Sequence, residues 1–247
     1  MKSLKLVRGR AVIPTIKIPL QLWLLAILLS PMLLQASSTV TEDCQGISIH
    51  LPAENQNEVQ HVCIAAQQAV DTLRQCGIES SKVIDITIQA QLTHVSGLPV
   101  FAFFYSPKNQ IFITDYESFK KLIIPDSAYH KLPTRDLYTS LIAHEVTHAL
   151  TCQFLAESEC SRVALEYLAS VVQVSSMSND ARQILLDYFP RTSPVDLEMF
   201  NEFTFYSSPQ WFVANAYRHF NQLDNGCEFL RDIINGKVQF LGGFDFE

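Results

Sequence analysis

Residues 140–154 read SLIAHEVTHALTCQF. Apolar residues recur at helical spacing through this stretch, yet His144, Glu145 and His148 interrupt it. Two histidines four apart share one face of a helix, a turn from each other, so both imidazoles can reach one metal ion. Glu145 then sits beside the ion, where it can take a proton from a water the metal activates. Leu137 and Leu141 continue the stripe, so the histidines point toward packed protein. The competing reading is two hydrogen-bonded core histidines.

A catalytic zinc wants three protein ligands and an open position. One arrangement places a third histidine six residues after the second, but Phe154 stands there, and Thr151 stands where that pattern has glycine. The remaining option is a carboxylate from a following helix. Glu166, in ALEYLAS (164–170), is the leading candidate, with Glu157 and Glu159 in reserve. Its alternative is a solvated face, with Arg162, Glu166, Ser170 and Gln173 turned to water and an Arg162–Glu166 pair of little energetic weight.

Outward from this stretch, the second half reads as helices. Thr134 is the expected N-cap of a helix running to about Phe154, and Ser161 of another reaching about Met177. Further helices are expected around 180–189, 209–222 and 226–235. The first half differs. Val59, Val62, Ala66, Val70 and Leu73 mark a helix that stops at Gly77. Ile84, Ile86 and Ile88 alternate with polar residues as a half-buried strand, and VFAFFYSPKNQIFITDY (100–116) reads as two strands around Pro107, Lys108 and Asn109. A small helix and an antiparallel or mixed sheet followed by a helical half make an α+β fold.

The start of the chain is of another kind. Lys2, Lys5, Arg8, Arg10 and Lys17 precede an apolar run over 20–34, and small residues follow at 36–38. That is the layout of a secretory signal, expected over residues 1–36, leaving one domain over 37–247. The run is short for a membrane span and Pro31 interrupts it, so no stable insertion is expected after cleavage. The implied location is secreted or periplasmic. The whole chain holds 18 basic and 25 acidic residues; without the five leading cations the balance is 13 − 25 = −12. Nucleic acid is a poor partner for so acidic a chain. Nothing in the sequence sets an oligomeric state.

All six cysteines follow residue 36, and an even number in an exported chain suggests disulfides. Cys63 and Cys76 fall on one helix about 20 Å apart, too far to pair with each other. Cys152–Cys160 is the expected local bridge, and the other pairings stay open.

HEVTHAL (144–150) followed by ALEYLAS resembles the gluzincin metallopeptidases, in which HExxH is followed by a glutamate on the next helix. The segments 101–116 and 209–234 resemble the hairpin and the late helix pair of small proteins of that zincin-like group. The resemblance implies a Zn2+ ion on His144, His148 and Glu166, with Glu145 as general base and a peptide or protein as substrate. It also implies an oxyanion donor from a later segment, for which Tyr217 and His219 in NAYRHF (215–220) are the candidates. A zincin frame that binds without turnover, and a structural protein with an accidental motif, are the rival expectations.

Overall fold

The computed structural model describes residues 39–79, 83–93, 97–154, 162–191 and 193–240. The expected signal segment lies outside them, as do His94, Glu157, Glu159, Cys160 and Ser161.

The sheet is built from strands whose alternate residues are aliphatic. β1 (Thr39–Cys44) and β2 (Ile47–Pro52) form a hairpin, and α1 (Val59–Gln75) follows. β3 (Ile84–Gln89), β4 (Ala102–Tyr105) and β5 (Gln110–Thr114) complete it in the order β1-β2-β3-β5-β4. β2, β3 and β5 run parallel, while β1 and β4 are antiparallel edges, so the sheet is mixed. Ile47, Ile49, Leu51, Ile84, Ile86, Ile88, Ile111 and Ile113 are buried on one face. Period-two alternation sends every second side chain to that face. α1 covers part of it through Val62, Ala65, Ala66, Ala69 and Leu73. The small alanines let the helix approach closely. Gly77 has a positive φ of 73° just past α1, a conformation that suits glycine and ends the helix.

The short helices α2 (Tyr116–Phe119) and α3 (Ala128–Lys131) lead into α4 (Thr134–Thr151). Thr134 is the first helical residue rather than its cap; Pro133 holds the cap position, and its carbonyl accepts from the Leu137 N–H at 3.1 Å. The helix ends at Thr151, with Cys152 beyond it. α4 buries polar hydroxyls without orphaning them. Ser140, Thr147 and Thr151 donate to the carbonyls of Leu137, Ala143 and Thr147, each at 2.8 Å.

α5 (Arg162–Ser175) packs against α4 on one side and α8 (Pro209–Gln222) on the other. Only a helix buried on both sides can carry Val163, Leu168, Val171, Val172 and Val174 all out of solvent. α6 (Asn179–Tyr188), α7 (Glu202–Ser207) and α9 (Gly226–Ile234) fill the remainder of the helical half. The architecture is α+β, with the layout of a zincin-like fold. No helix among the described residues is long and apolar enough to cross a membrane.

Two disulfides tie these layers together. Cys44–Cys63 joins edge strand β1 to α1, with Cα atoms 5.7 Å apart. Cys76–Cys227 joins the end of α1 to the start of α9 at 4.7 Å. Beside the second, Arg231 Nη1 donates to the Cys76 carbonyl at 2.8 Å. Cys63 and Cys76 each find a distant partner, in keeping with their separation along α1. The expected Cys152–Cys160 pair falls outside the described residues.

Candidate metal centre

The α4–α5 interface brings together the side chains that could hold a metal ion. His144 and His148 stand one turn apart on α4, and Glu166 projects from the first turns of α5. His144 Nε2 lies 3.1 Å from His148 Nε2 and 3.3 Å from Glu166 Oε2; His148 Nε2 lies 3.7 Å from Glu166 Oε1. Ligands about 2.0–2.1 Å from a tetrahedral ion are separated by roughly 3.3 Å, close to these pairwise distances, and one ligand atom from each residue lies within 4.8 Å of the others. Among the described residues it is the one cluster of histidine, cysteine and carboxylate groups placed to hold an ion. The imidazoles and the carboxylate are 13–16% exposed, so the site is sheltered but reachable by solvent.

The electrostatics single out His144. Burial works against its charged form, but the hydrogen bond and charge of Glu166 outweigh that and raise its pKa. For His148, burial and then the neighbouring His144 act together, pulling it down to about 4. Burial pushes Glu166 up, yet the His144 contact prevails and leaves it lowered. Glu166 favours the charged form of both rings, whereas each ring's charge disfavours the other's, so the carboxylate is the group that draws the cluster together.

Glu145 occupies the neighbouring face. Burial pushes its carboxyl up to about 7, opposed by His144 and reinforced by Glu166. The Phe104 backbone N–H donates to it. That contact follows from strand register. The Thr114 N–H donates to the Phe101 carbonyl at 2.8 Å, which puts Phe103 and Tyr105 in the bonded register with β5. The N–H and C=O groups of Ala102 and Phe104 therefore face off the free edge of the sheet, and Phe104 meets Glu145 there.

The row Arg162, Glu166, Ser170, Gln173 does not turn to water. Ser170 and Gln173 are fully buried; Arg162 alone is exposed, bonded to the Tyr206 hydroxyl, and its charge helps lower Glu166. The solvated-face alternative for Glu166 is thereby overturned. The Nδ1–H of His144 donates to Gln173 Oε1 at 3.0 Å, and Gln173 Nε2–H donates to Tyr129 Oη at 3.1 Å. Sequence reading missed both partners. Gln173 was accessible to it, two helical turns beyond Glu166 on the same stripe; Tyr129, on the separate helix α3, carried no signal.

Tyr217 and His219 have other surroundings. Tyr217 is half-buried, with the Arg182 guanidinium 5.2 Å from its ring centre. His219 is buried among Tyr167, Phe200 and Phe229, and the Tyr167 hydroxyl donates to its Nδ1 at 2.7 Å. These contacts include none of the three metal-site side chains. A cavity of about 540 Å³ opens elsewhere, between Gln68 and Thr72 of α1, Arg135 and Thr139 of α4, and Ser175 at the end of α5. It touches none of the triad. We place the chemistry at the triad, because convergent ligand atoms rather than empty volume make a metal centre.

No curated protein and no solved structure matches the chain. A family match covers residues 49–242, which includes the sheet from β2 onward, the triad and the late helices. The chain belongs to the family described as "Family of unknown function (DUF6639)", and the cluster of two histidines and a glutamate is a feature of this member of it.

Proposed function

We propose that the protein is a zinc-dependent metallopeptidase of the gluzincin type, working outside the cytoplasm. The observation that carries the proposal is the triangle of His144, His148 and Glu166 ligand atoms with Glu145 beside it. The donor set fits zinc: two neutral imidazoles and one carboxylate leave a coordination position open. Bound there, zinc supplies Lewis acidity, polarising a carbonyl and acidifying a water.

The chain's own groups do the rest. An extended peptide lies along the free edge of β4, exchanging main-chain hydrogen bonds with the outward N–H and C=O of Ala102 and the C=O of Phe104. The Glu145 carboxylate accepts a proton from the attacking water as the oxygen–carbon bond forms. It returns that proton to the amide nitrogen as the carbon–nitrogen bond breaks. The Phe104 N–H holds Glu145 at the strand that presents the substrate. Partial burial keeps its proton affinity near that of a base working at neutral pH. The two disulfides support an oxidising compartment, in keeping with a leader over residues 1–36.

The test is Glu145→Gln in the zinc-loaded chain, assayed on a peptide library. Cleavage should fall by about 10²- to 10⁴-fold, with zinc content unchanged. Undiminished cleavage in the variant contradicts the assigned role. A wild-type chain that holds zinc and cleaves no peptide points instead to a binding protein on the same frame.

A further inference from the structure

The stripe on α5 runs past the metal ligand. Glu166, Ser170 and Gln173 are spaced i, i+4 and i+7, so they share one face of the helix, and that face meets α4. Gln173 is 1% exposed. A primary amide so deeply buried must satisfy an acceptor and two donors from protein. Its oxygen and one of its N–H donors are met across two other elements, with Oε1 on His144 of α4 and Nε2 on Tyr129 of α3. α3 is itself held in place, since the Ala128 N–H donates to Gln210 Oε1 of α8 at 2.9 Å. Three helices and their side chains therefore define where the amide sits.

The orientation of that amide has a chemical consequence. With its oxygen toward His144, the imidazole carries its proton on Nδ1 and presents a lone pair at Nε2, the atom facing His148 and Glu166. Turned over, the amide would offer N–H to Nδ1 and drive the proton to Nε2, where it blocks an ion. In the first arrangement the Tyr129 hydroxyl accepts from the Nε2–H end; in the second it would have to turn and donate to the amide oxygen. We infer that Gln173, oriented by Tyr129, is a positioning residue that fixes the metal-binding tautomer of His144. The inference rests on the metal reading above.

The partner is also neutral. Groups that hold a metal-bound histidine by its other nitrogen include carboxylates, carbonyls and water. A carboxylate adds a negative charge next to the ion; the amide of Gln173 adds none. Apart from Glu145, Glu166 is then the carboxylate that offsets the ion's charge in the cluster, and more positive charge stays available to polarise a substrate. A carboxylate at 173 should consequently bind zinc at least as tightly as the amide.

The test measures zinc affinity by competition with a chromophoric chelator, on the full exported chain, with thermal melting as the check on folding. Gln173→Leu should weaken zinc by roughly 10- to 100-fold. Gln173→Glu keeps the acceptor and should match or exceed the wild type. Tyr129→Phe should weaken zinc by roughly two- to tenfold, the scale of one hydrogen bond. Long-range proton–nitrogen spectra of the zinc-free wild type, at a pH where the ring is neutral, should show His144 protonated at Nδ1, a readout that needs no variant; a proton on Nε2 there overturns the inference. Gln173→Leu binding zinc as tightly as the wild type overturns the inference. So does equal weakening in Gln173→Glu and Gln173→Leu, which would assign the effect to packing. A wild-type chain that binds no zinc overturns the metal reading itself, before any variant is compared.

Discussion

Glu166 and Tyr167 are adjacent in sequence and serve opposite interfaces of α5. On the α4 side, Glu166 meets His144 and His148; on the α8 side, Tyr167 meets His219. Each interface buries a histidine, but their chemistry diverges. Burial lowers the proton affinity of both. At His144 the Glu166 carboxylate reverses that effect; at His219 the opposing charge of Asp196 does not, and its pKa stays lowered. His219 accepts the Tyr167 hydroxyl inside a cage of phenylalanines, and its polar requirement is met there. A buried histidine is thus no sign of a site by itself. Convergence of a second histidine and a carboxylate on the same ring atom is what separates a ligand from a packed side chain.

The contrast is most sharply tested by removing one ring from each side. His148→Ala should weaken zinc by about two orders of magnitude or more, from the ~3 kcal/mol per ligand that a roughly 10–16 kcal/mol four-ligand site implies. His219→Ala should leave zinc affinity within about a factor of two, since its contacts do not reach the triad. Comparable losses in the two variants, measured by competition titration, would erase the distinction. Stability should respond in the other direction. His219→Ala leaves a buried hydroxyl on Tyr167 and a void among the rings, so urea denaturation should show a loss of about 2–4 kcal/mol.

A half-buried polar group elsewhere provides the smallest effect. The Glu58 carboxylate accepts from the Tyr116 N–H at 3.1 Å and the Tyr138 hydroxyl at 3.1 Å, remote from any metal ligand in sequence. Burial nevertheless raises its pKa over these lowering contacts. The folded state therefore holds the Glu58 proton more tightly than the unfolded chain does. The associated stability is full in acid, below the unfolded value, and is lost as pH rises through the folded one. Glu58→Gln should gain stability relative to the wild type between pH 4 and pH 7. A difference that is flat or falls across that range, in paired urea titrations, would contradict the burial argument.

The sequence disclosed those parts of the molecule that repeat a short-range pattern. The isoleucines of β3 and the aliphatic residues of α1 lie at the periods of their elements, and the hairpin of β4 and β5 flanks a recognisable turn. His144 and His148 were legible because one helix holds both, and Glu166 because it stands on the next. The β1–β2 hairpin was missed: β2 alternates Ile47, Ile49 and Leu51 with Ser48 and His50, but its edge partner β1 buries only Cys44 and shows no second apolar run to mark a hairpin. The disulfides join residues 19 and 151 positions apart, which spacing along the chain cannot reveal. The row from Glu166 to Gln173 was visible as a stripe, but its polar residues suit a wet face as well as a metal centre. Only the packing of α5 between α4 and α8 decides between them.

The central claim is that His144, His148 and Glu166 together grip one ion. Metal analysis of the purified chain, beside its Glu166→Ala variant, tests this most directly. The account predicts about one zinc per wild-type chain and a large loss in the variant under the same chelator wash. A wild-type chain without metal, or a variant that keeps its zinc in full, would contradict it.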